Sequence, residues 1–280
     1  MPNNRAALSV ENFEIILNQF ITNNYLPRVV VLYHGGEPFV NKNIDHFIKR
    51  CKEIGVSKVV LNSNGLLLTE QISEKIIDAG LDEIRISLDG QSPEENNAIR
   101  RGSDFNRISK QIKYLIELKK KKNSATPNVM VDNINILKKD VLESFMAKGQ
   151  ASVDEIPEFL PKTFENEADQ IGFRTYPAMV WPGYKEFGNF DVVTFDKLNP
   201  DYCSNLFETM TIMSNGNVVA CCYDLPGEIS FGNVFEQDYL KIWNSKGFST
   251  FRKNFRNKVY ANLCKNCNVV QPRYLYRKES

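Results

Sequence analysis

Five of the six cysteines in this 280-residue chain fall after residue 200: Cys203, Cys221, Cys222, Cys264 and Cys267. Cys264-Lys-Asn-Cys267 has the spacing at which two sulfurs reach one metal centre. Cys203 and one member of the adjacent pair complete a four-thiolate set. Neighbouring strand residues point to opposite faces, so Cys221 and Cys222 cannot easily share a centre, and one of them is the ligand. Four thiolates suit structural zinc or an iron–sulfur cluster, and spacing leaves both open. A second constellation lies at residues 29–39, VVVLYHGGEPF. Here an apolar strand ends by baring the backbone of Gly35 and Gly36 beside Glu37 and Pro38. His34 reads as a packed or hydrogen-bonding neighbour of these glycines.

The elements that must hold these residues alternate between helical and strand periods from residue 9 to about 176. Ser9 caps a helix with the stripe Phe13, Ile16, Leu17, Phe20 and Ile21. Strand Val29–Tyr33 follows. Asn43 opens a helix with Ile44, Phe47, Ile48, Cys51 and Ile54 on one face, where Cys51 is a small core residue. Strand Lys58–Leu61 precedes a helix capped by Thr69 and stopped by Gly80. Strand Ile84–Leu88, a helix through Phe105, Ile108, Ile112, Leu115 and Ile116, and strands at 128–134 and 171–176 complete the series. The segment 140–168 reads as helical in part.

Repeated βα units imply parallel strands, in an open sheet or partial barrel, with chemistry at the strands' C-terminal ends. Those ends are polar here: Tyr33–Pro38, Asn62–Gly65, Ser87–Gly90, Asp132–Asn135 and Arg174–Tyr176. In IRISLDG, Ile84, Ile86 and Leu88 point one way and Arg85, Ser87 and Asp89 the other. A polar face of that kind suits a ligand-filled lumen. Taken alone, Asp89-Gly90 reads as a turn.

Thirty-five basic and 34 acidic residues leave a net charge of +1, so no basic field argues for nucleic acid. The run Lys119–Lys122 reads as a solvated helix end. No stretch approaches the ~18 apolar residues of a membrane span, and the first residues show no signal peptide. The expectation is a soluble, cytoplasmic protein with no membrane partner. A proline-, glycine- and aromatic-rich segment begins at residue 177. Beyond it, residues 209–224 read as a hairpin around Asn215-Gly216, and residues 239–255 as a helix.

YHGGEP, LNSNG, ISLDG, IRRGSDF and a late Cys…Cys…CxxC set occur in this order. The ordered set resembles a radical S-adenosylmethionine (SAM) enzyme with a C-terminal SPASM or twitch-type extension. The resemblance implies a partial (β/α)6 TIM-like barrel over 1–176, a linker at 177–199, and a small α+β auxiliary-cluster domain with a β-hairpin over 200–280. It implies that Gly35, Gly36, Glu37 and Pro38 bind the amino group of SAM, with Glu37 as an acceptor for an ammonium. Ser87 and Asp89 match the ribose-contacting strand, and Asn62 and Asn64 another cofactor-facing strand end. Arg174 would meet the SAM carboxylate, the substrate or a structural ion pair. In the family a glycine stands five positions before the hairpin cysteine, as Gly216 does before Cys221. The resemblance therefore assigns Cys203, Cys221, Cys264 and Cys267 to one auxiliary [4Fe–4S] cluster.

One departure stands out. The family's first strand carries CxxxCxxC for the cluster that cleaves SAM, and this triplet does not occur in the sequence. On this resemblance the chain begins one strand late, and the initiating [4Fe–4S] cluster is unligated. The implied activity is SAM-dependent hydrogen abstraction from a peptide or from a sugar or cyclitol alcohol, fed by a reductant such as flavodoxin or ferredoxin. The alternative is a non-catalytic iron–sulfur or zinc module.

Overall fold

The structure is a computed structural model and describes residues 6–150, 152–182 and 190–277. It divides into two compact units, Tyr25–Ala178 and, together, Met1–Asn24 with Met179–Ser280. The first helix, α1 (Val10–Thr22), belongs to the second of these, where the sequence places it with the barrel.

The sheet unit runs β1 (Val29–Val31), α2 (Ile44–Glu53), β2 (Lys58–Ser63), α3 (Glu70–Asp78), β3 (Glu83–Ser87), α4 (Pro93–Ile99), α5 (Phe105–Lys121) and β4 (Asn128–Asn135). It continues with β5 (Leu137–Lys138), α6 (Lys139–Lys148), α7 (Phe159–Thr163) and β6 (Ile171–Pro177). Five strands pair in parallel in the order β1-β2-β3-β4-β6, a partial TIM-like α/β sheet. The helices start where the sequence supplies a cap. Thr69 accepts from the Ile72 amide, Ser92 from that of Glu95 and Asp104 from that of Arg107. Gly80, at φ +81°, ends α3 where only glycine adopts the backbone freely.

Alternation sorts the two faces. Ile84, Ile86, Leu88, Val129 and Val131 are fully buried, as are Ile108, Ile112, Leu115 and Ile116 of α5. Each such side chain contributes about 1.5–3 kcal/mol of burial free energy. Cys51 is likewise fully buried in α2, a core residue as read. Lys119 departs from the reading of its run as solvated: it is buried, and burial lowers its pKa. Its aliphatic stem falls on the α5 stripe three residues after Ile116.

The second unit adds to α1 the elements β7 (Asp191–Thr194), α8 (Ser204–Phe207), β8 (Thr211–Ile212), β9 (Asn217–Val219) and β10 (Ser230–Asn233). It ends with α9 (Tyr239–Trp243), α10 (Lys246–Arg256), α11 (Asn262–Lys265) and β11 (Arg273–Arg277). Antiparallel β8 and β9 form the expected hairpin, with Gly216 at φ +86° in its turn, and β10 extends it. The single helix expected over 239–255 is two, because Ser245 caps a new start by accepting from the Phe248 amide. Residues 183–189 of the expected linker lie outside the described residues, and β7, within the same expected span, pairs with β11. Gln19 ties α1 into this unit: its amide donates to the Val234 carbonyl at 2.5 Å and accepts from the Tyr239 N–H at 2.7 Å. Ile16 joins Leu206, Val218, Val234, Ile242, Phe248 and Val270 in one buried cluster.

Candidate functional site

Four of the cysteines converge. Cys203 stands at the start of α8, Cys221 just past β9, Cys264 within α11 and Cys267 one turn later, its N–H bonded to the Cys264 carbonyl at 3.1 Å. Together they line one cavity of ≈ 410 Å³ including its opening to solvent, otherwise walled by Leu206, Ala220, Tyr223, Phe251, Phe255, Leu263, Val269 and Val270, with Asn205. Cys222 is exposed and is not among the lining residues, which separates the adjacent pair. Burial pushes the Cys221 and Cys264 thiols up to about 12 and raises Cys267. Apolar walls favour the neutral thiol, so a cationic centre is needed to draw these sulfurs into the thiolate form. Among the described residues no three His, Cys, Asp or Glu side chains gather tightly enough to hold a single metal ion. Behind Cys221, the buried Asp224 carboxylate accepts from the Gly227, Glu228 and Ile229 amides and fixes the loop.

In the sheet unit the glycine turn follows β1 directly. Gly35 has φ +66°, a backbone that side chains disfavour. A Cβ on Gly36 would meet nothing within 4 Å, so this face of the turn is open. Glu37 caps the short 3-10 turn Pro38–Val40, and its Oε1 accepts from the Phe39 amide at 3.2 Å. The same oxygen accepts from Ser63 Oγ at 2.8 Å, and Oε2 accepts from the Asn64 amide at 2.8 Å. Glu37 thus ties the end of β1 to the end of β2, which spacing alone does not reveal. A carboxylate has about four acceptor positions, so one remains. Ser63 was missed in the sequence, although a small hydroxyl between two asparagines at a strand end is the type such a brace needs.

Asn62 donates from Nδ2 to the Tyr33 hydroxyl at 3.4 Å, while its buried Oδ1 has no partner. Asn64 folds back, its Oδ1 accepting from the Leu66 amide at 2.9 Å. Ser87 sits on the polar face in register with Asp132. Asp89 does not lie open on that face: it is buried, with Oδ2 taken by Arg100 at 2.6 Å and Oδ1 by the Ile134 amide at 2.9 Å. Its neighbour Gly90, at φ +78°, makes the turn.

Arg174 reaches Asp132 on β4, with Nε and Nη2 each 2.8 Å from Oδ1. Beside them Glu83 holds Lys58 at 2.6 Å and Arg85 at 2.5 Å. Burial pushes the Asp132 carboxyl up and outweighs the Arg174 guanidinium that opposes it. Burial pushes Glu83 up too, but hydrogen bonds from Lys58 and Arg85 more than reverse it, and its pKa is lowered. Asp132 was not singled out from the sequence, although the period of two in NVMVDNI puts it opposite the buried Val129 and Val131.

Residues 2–146 match the family model of the radical SAM superfamily, and residues 203–268 match SPASM, an iron-sulfur cluster-binding domain. The chain is 33% identical over 131 residues to a probable GTP 3',8-cyclase of Methanocaldococcus jannaschii, covering 45% of this chain and 41% of that one. It is 25% identical over 241 residues to a GTP 3',8-cyclase of Alkaliphilus metalliredigens, covering 85% of this chain and 60% of the relative. These alignments leave about half the length of such relatives unmatched. Similarity at 24% over 268 residues extends to a tungsten-containing aldehyde ferredoxin oxidoreductase cofactor-modifying protein of Pyrococcus furiosus, covering 87% of this chain and 75% of that one. Two solved structures share the fold. One is BtrN in complex with AdoMet and 2-DOIA (TM-score 0.56, 18% identity, 95% of this chain and 82% of that one). The other is Streptococcus suis SuiB bound to S-adenosylmethionine (TM-score 0.55, 21% identity, 95% and 66%). No helix among the described residues is long and apolar enough to cross a membrane.

Proposed function

We propose that this chain, which belongs to the radical SAM superfamily, positions SAM and substrate in a hydrogen-abstracting enzyme and holds one auxiliary [4Fe–4S] cluster. The observation that carries this reading is the convergence of Cys203, Cys221, Cys264 and Cys267 on one cavity. The donor set fits: four soft sulfurs between apolar walls suit an iron–sulfur core. A lone zinc ion, with Zn–S of ≈ 2.3 Å, needs sulfurs about 3.8 Å apart. The match of residues 203–268 to an iron-sulfur cluster-binding domain favours the larger core.

SAM, when bound, would supply the radical chemistry; the residues of this chain would bind and orient it. The bare carbonyls at Gly35 and Gly36 and the remaining acceptor position of Glu37 suit an ammonium, with buried Pro38 stiffening the turn. Asn62 Oδ1 and the Ser87 hydroxyl offer polar contacts along the same strand ends. Asn64 and Asp89, committed to partners within the chain, set the shape of the loops. Resemblance to proteins named as GTP cyclases supports a small-molecule substrate over a peptide. A flavodoxin or ferredoxin would be the electron donor, in the cytoplasm.

CxxxCxxC does not occur in the 280 residues, so no thiolate triplet of this chain fits the initiating cluster. That favours one second reading, a non-catalytic iron–sulfur or zinc-binding module. Anaerobic reconstitution followed by metal analysis separates them. We expect iron and sulfide near four each per chain, lost in Cys264→Ser and Cys267→Ser and kept in Cys222→Ser. A colourless protein with one zinc overturns the cluster assignment. With dithionite and SAM, this chain alone should release no 5'-deoxyadenosine; release would refute the reading of the missing motif.

A further inference from the structure

The polar face of the sheet carries a row of charged side chains apart from the glycine turn. Lys58, Glu83, Arg85, Asp132 and Arg174 alternate in sign across β2, β3, β4 and β6, with one positive charge in excess. In-register pairing of Ser87 with Asp132 and of Asp132 with Arg174 aligns them on one face. The pairings are incomplete in a particular way. Arg85 uses only Nε, on Glu83, and Arg174 turns both Nε and Nη2 onto the single oxygen Oδ1 of Asp132. A guanidinium that satisfies a carboxylate as a fork contacts both oxygens. Here Nη2 of Arg174 is buried without an aligned hydrogen bond, and among the described residues the bond to Asp132 goes to Oδ1, not to Oδ2. The side chains of Arg85 and Arg174 remain 33% and 29% exposed, so a ligand can reach them. On the adjacent strand β2, Asn62 Oδ1 is a buried acceptor without a donor, on a residue in register with Arg85.

We propose that Arg85, Asp132 and Arg174 anchor the substrate, and that the substrate is a small molecule presenting an oxyanion, carboxylate or phosphate, beside a hydrogen-bond donor. The spare guanidinium N–H groups of Arg85 and Arg174 take the oxyanion, and Asp132 Oδ2 takes the donor. Burial that disfavours the Asp132 charge leaves this face the more cationic. The proposal rests on the reading of this face as the ligand side of a SAM-dependent protein.

The test follows the arginine Nε–H resonances of the full chain, labelled with 15N-arginine, during titration at constant ionic strength. The probes are inorganic phosphate and acetate, with chloride as control and SAM in a separate arm. We expect saturable shifts at the Arg85 and Arg174 signals with phosphate, with acetate, or with both, and the stronger of the two identifies the oxyanion. Asp132→Asn, which removes a like charge from beside the anion, should tighten binding about fivefold, whereas a merely structural Asp132 would leave it unchanged or weaker. Arg174→Lys, which keeps the charge but loses the fork, should weaken it about tenfold. SAM binding with neither anion moving these signals overturns the proposal while the parent reading stands. SAM displacing the anion overturns it by making the row a SAM subsite. Absence of both SAM and anion binding overturns the proposal and the parent reading together.

Discussion

Glu37 is the residue on which two accounts of the glycine turn divide. If it serves only to meet an ammonium, removing its charge leaves the ligand-free protein indifferent. Its three hydrogen bonds, two of them at 2.8 Å, say otherwise. In Glu37→Gln the amide oxygen can still accept from Phe39 and Ser63, but an NH2 group then faces the Asn64 N–H, donor against donor. One charge-assisted bond is lost, about 1.5–3 kcal/mol. Half-exposure of Glu37 puts the expected loss at the lower end. The two units make a global unfolding midpoint ambiguous, so a local measurement is better. Hydrogen exchange at the Asn64 amide, without SAM, should quicken about tenfold, since 1.4 kcal/mol is a factor of ten. The Ile84 amide in the core of β3 serves as reference. Exchange at Asn64 unchanged within about twofold would refute the brace and leave ligand contact as the sole role.

Gly216→Ala adds a Cβ 2.5 Å from Phe235 Cδ2 at φ +86°, so the thiol-bearing unit should lose about 2–4 kcal/mol in urea unfolding, and iron retention should fall with it. Glu83→Gln should cost about 1–3 kcal/mol at pH 7, discounted because Lys58 is 43% exposed. The lowered pKa of Glu83 fixes the sign of the pH dependence: its contribution is complete above the unfolded value near 4.3 and disappears as pH falls through the lower folded value. The stability gap between wild type and variant should therefore close below about pH 4 in acid titrations; a gap that widens there would contradict the ion-pair assignment.

Periodicity made the sheet legible. The two-residue alternation of β3 and β4 separates Ile84, Ile86, Val129 and Val131 from Arg85, Ser87 and Asp132, because a pleated strand leaves no third direction. The glycine turn and the four thiols were visible because their residue types are chemically unusual at those spacings. What a side chain grips once it faces the right way was not visible. Glu37 finds Ser63 and Asn64 across 26 and 27 residues, and Asp89 is taken by Arg100 and the backbone of Ile134, pairings set by loop geometry. The stripe of α1 announced an amphipathic helix but not its partner, since Phe13, Ile16 and Leu17 would suit any apolar surface. The break between α9 and α10 was readable at Ser245, a capping residue inside an otherwise helical run.

Gln19 bonds to Val234 and Tyr239, so the first helix belongs to a unit in which its own partners are encoded 215 and 220 residues later. During synthesis, at about 5–20 residues per second, α1 waits roughly 10–40 s before those partners leave the ribosome. The sheet unit, Tyr25–Ala178, is an insertion in the linear order, complete when only Met1–Asn24 of its host has been made. For that interval Ile16 and Phe20 have no native cluster to enter.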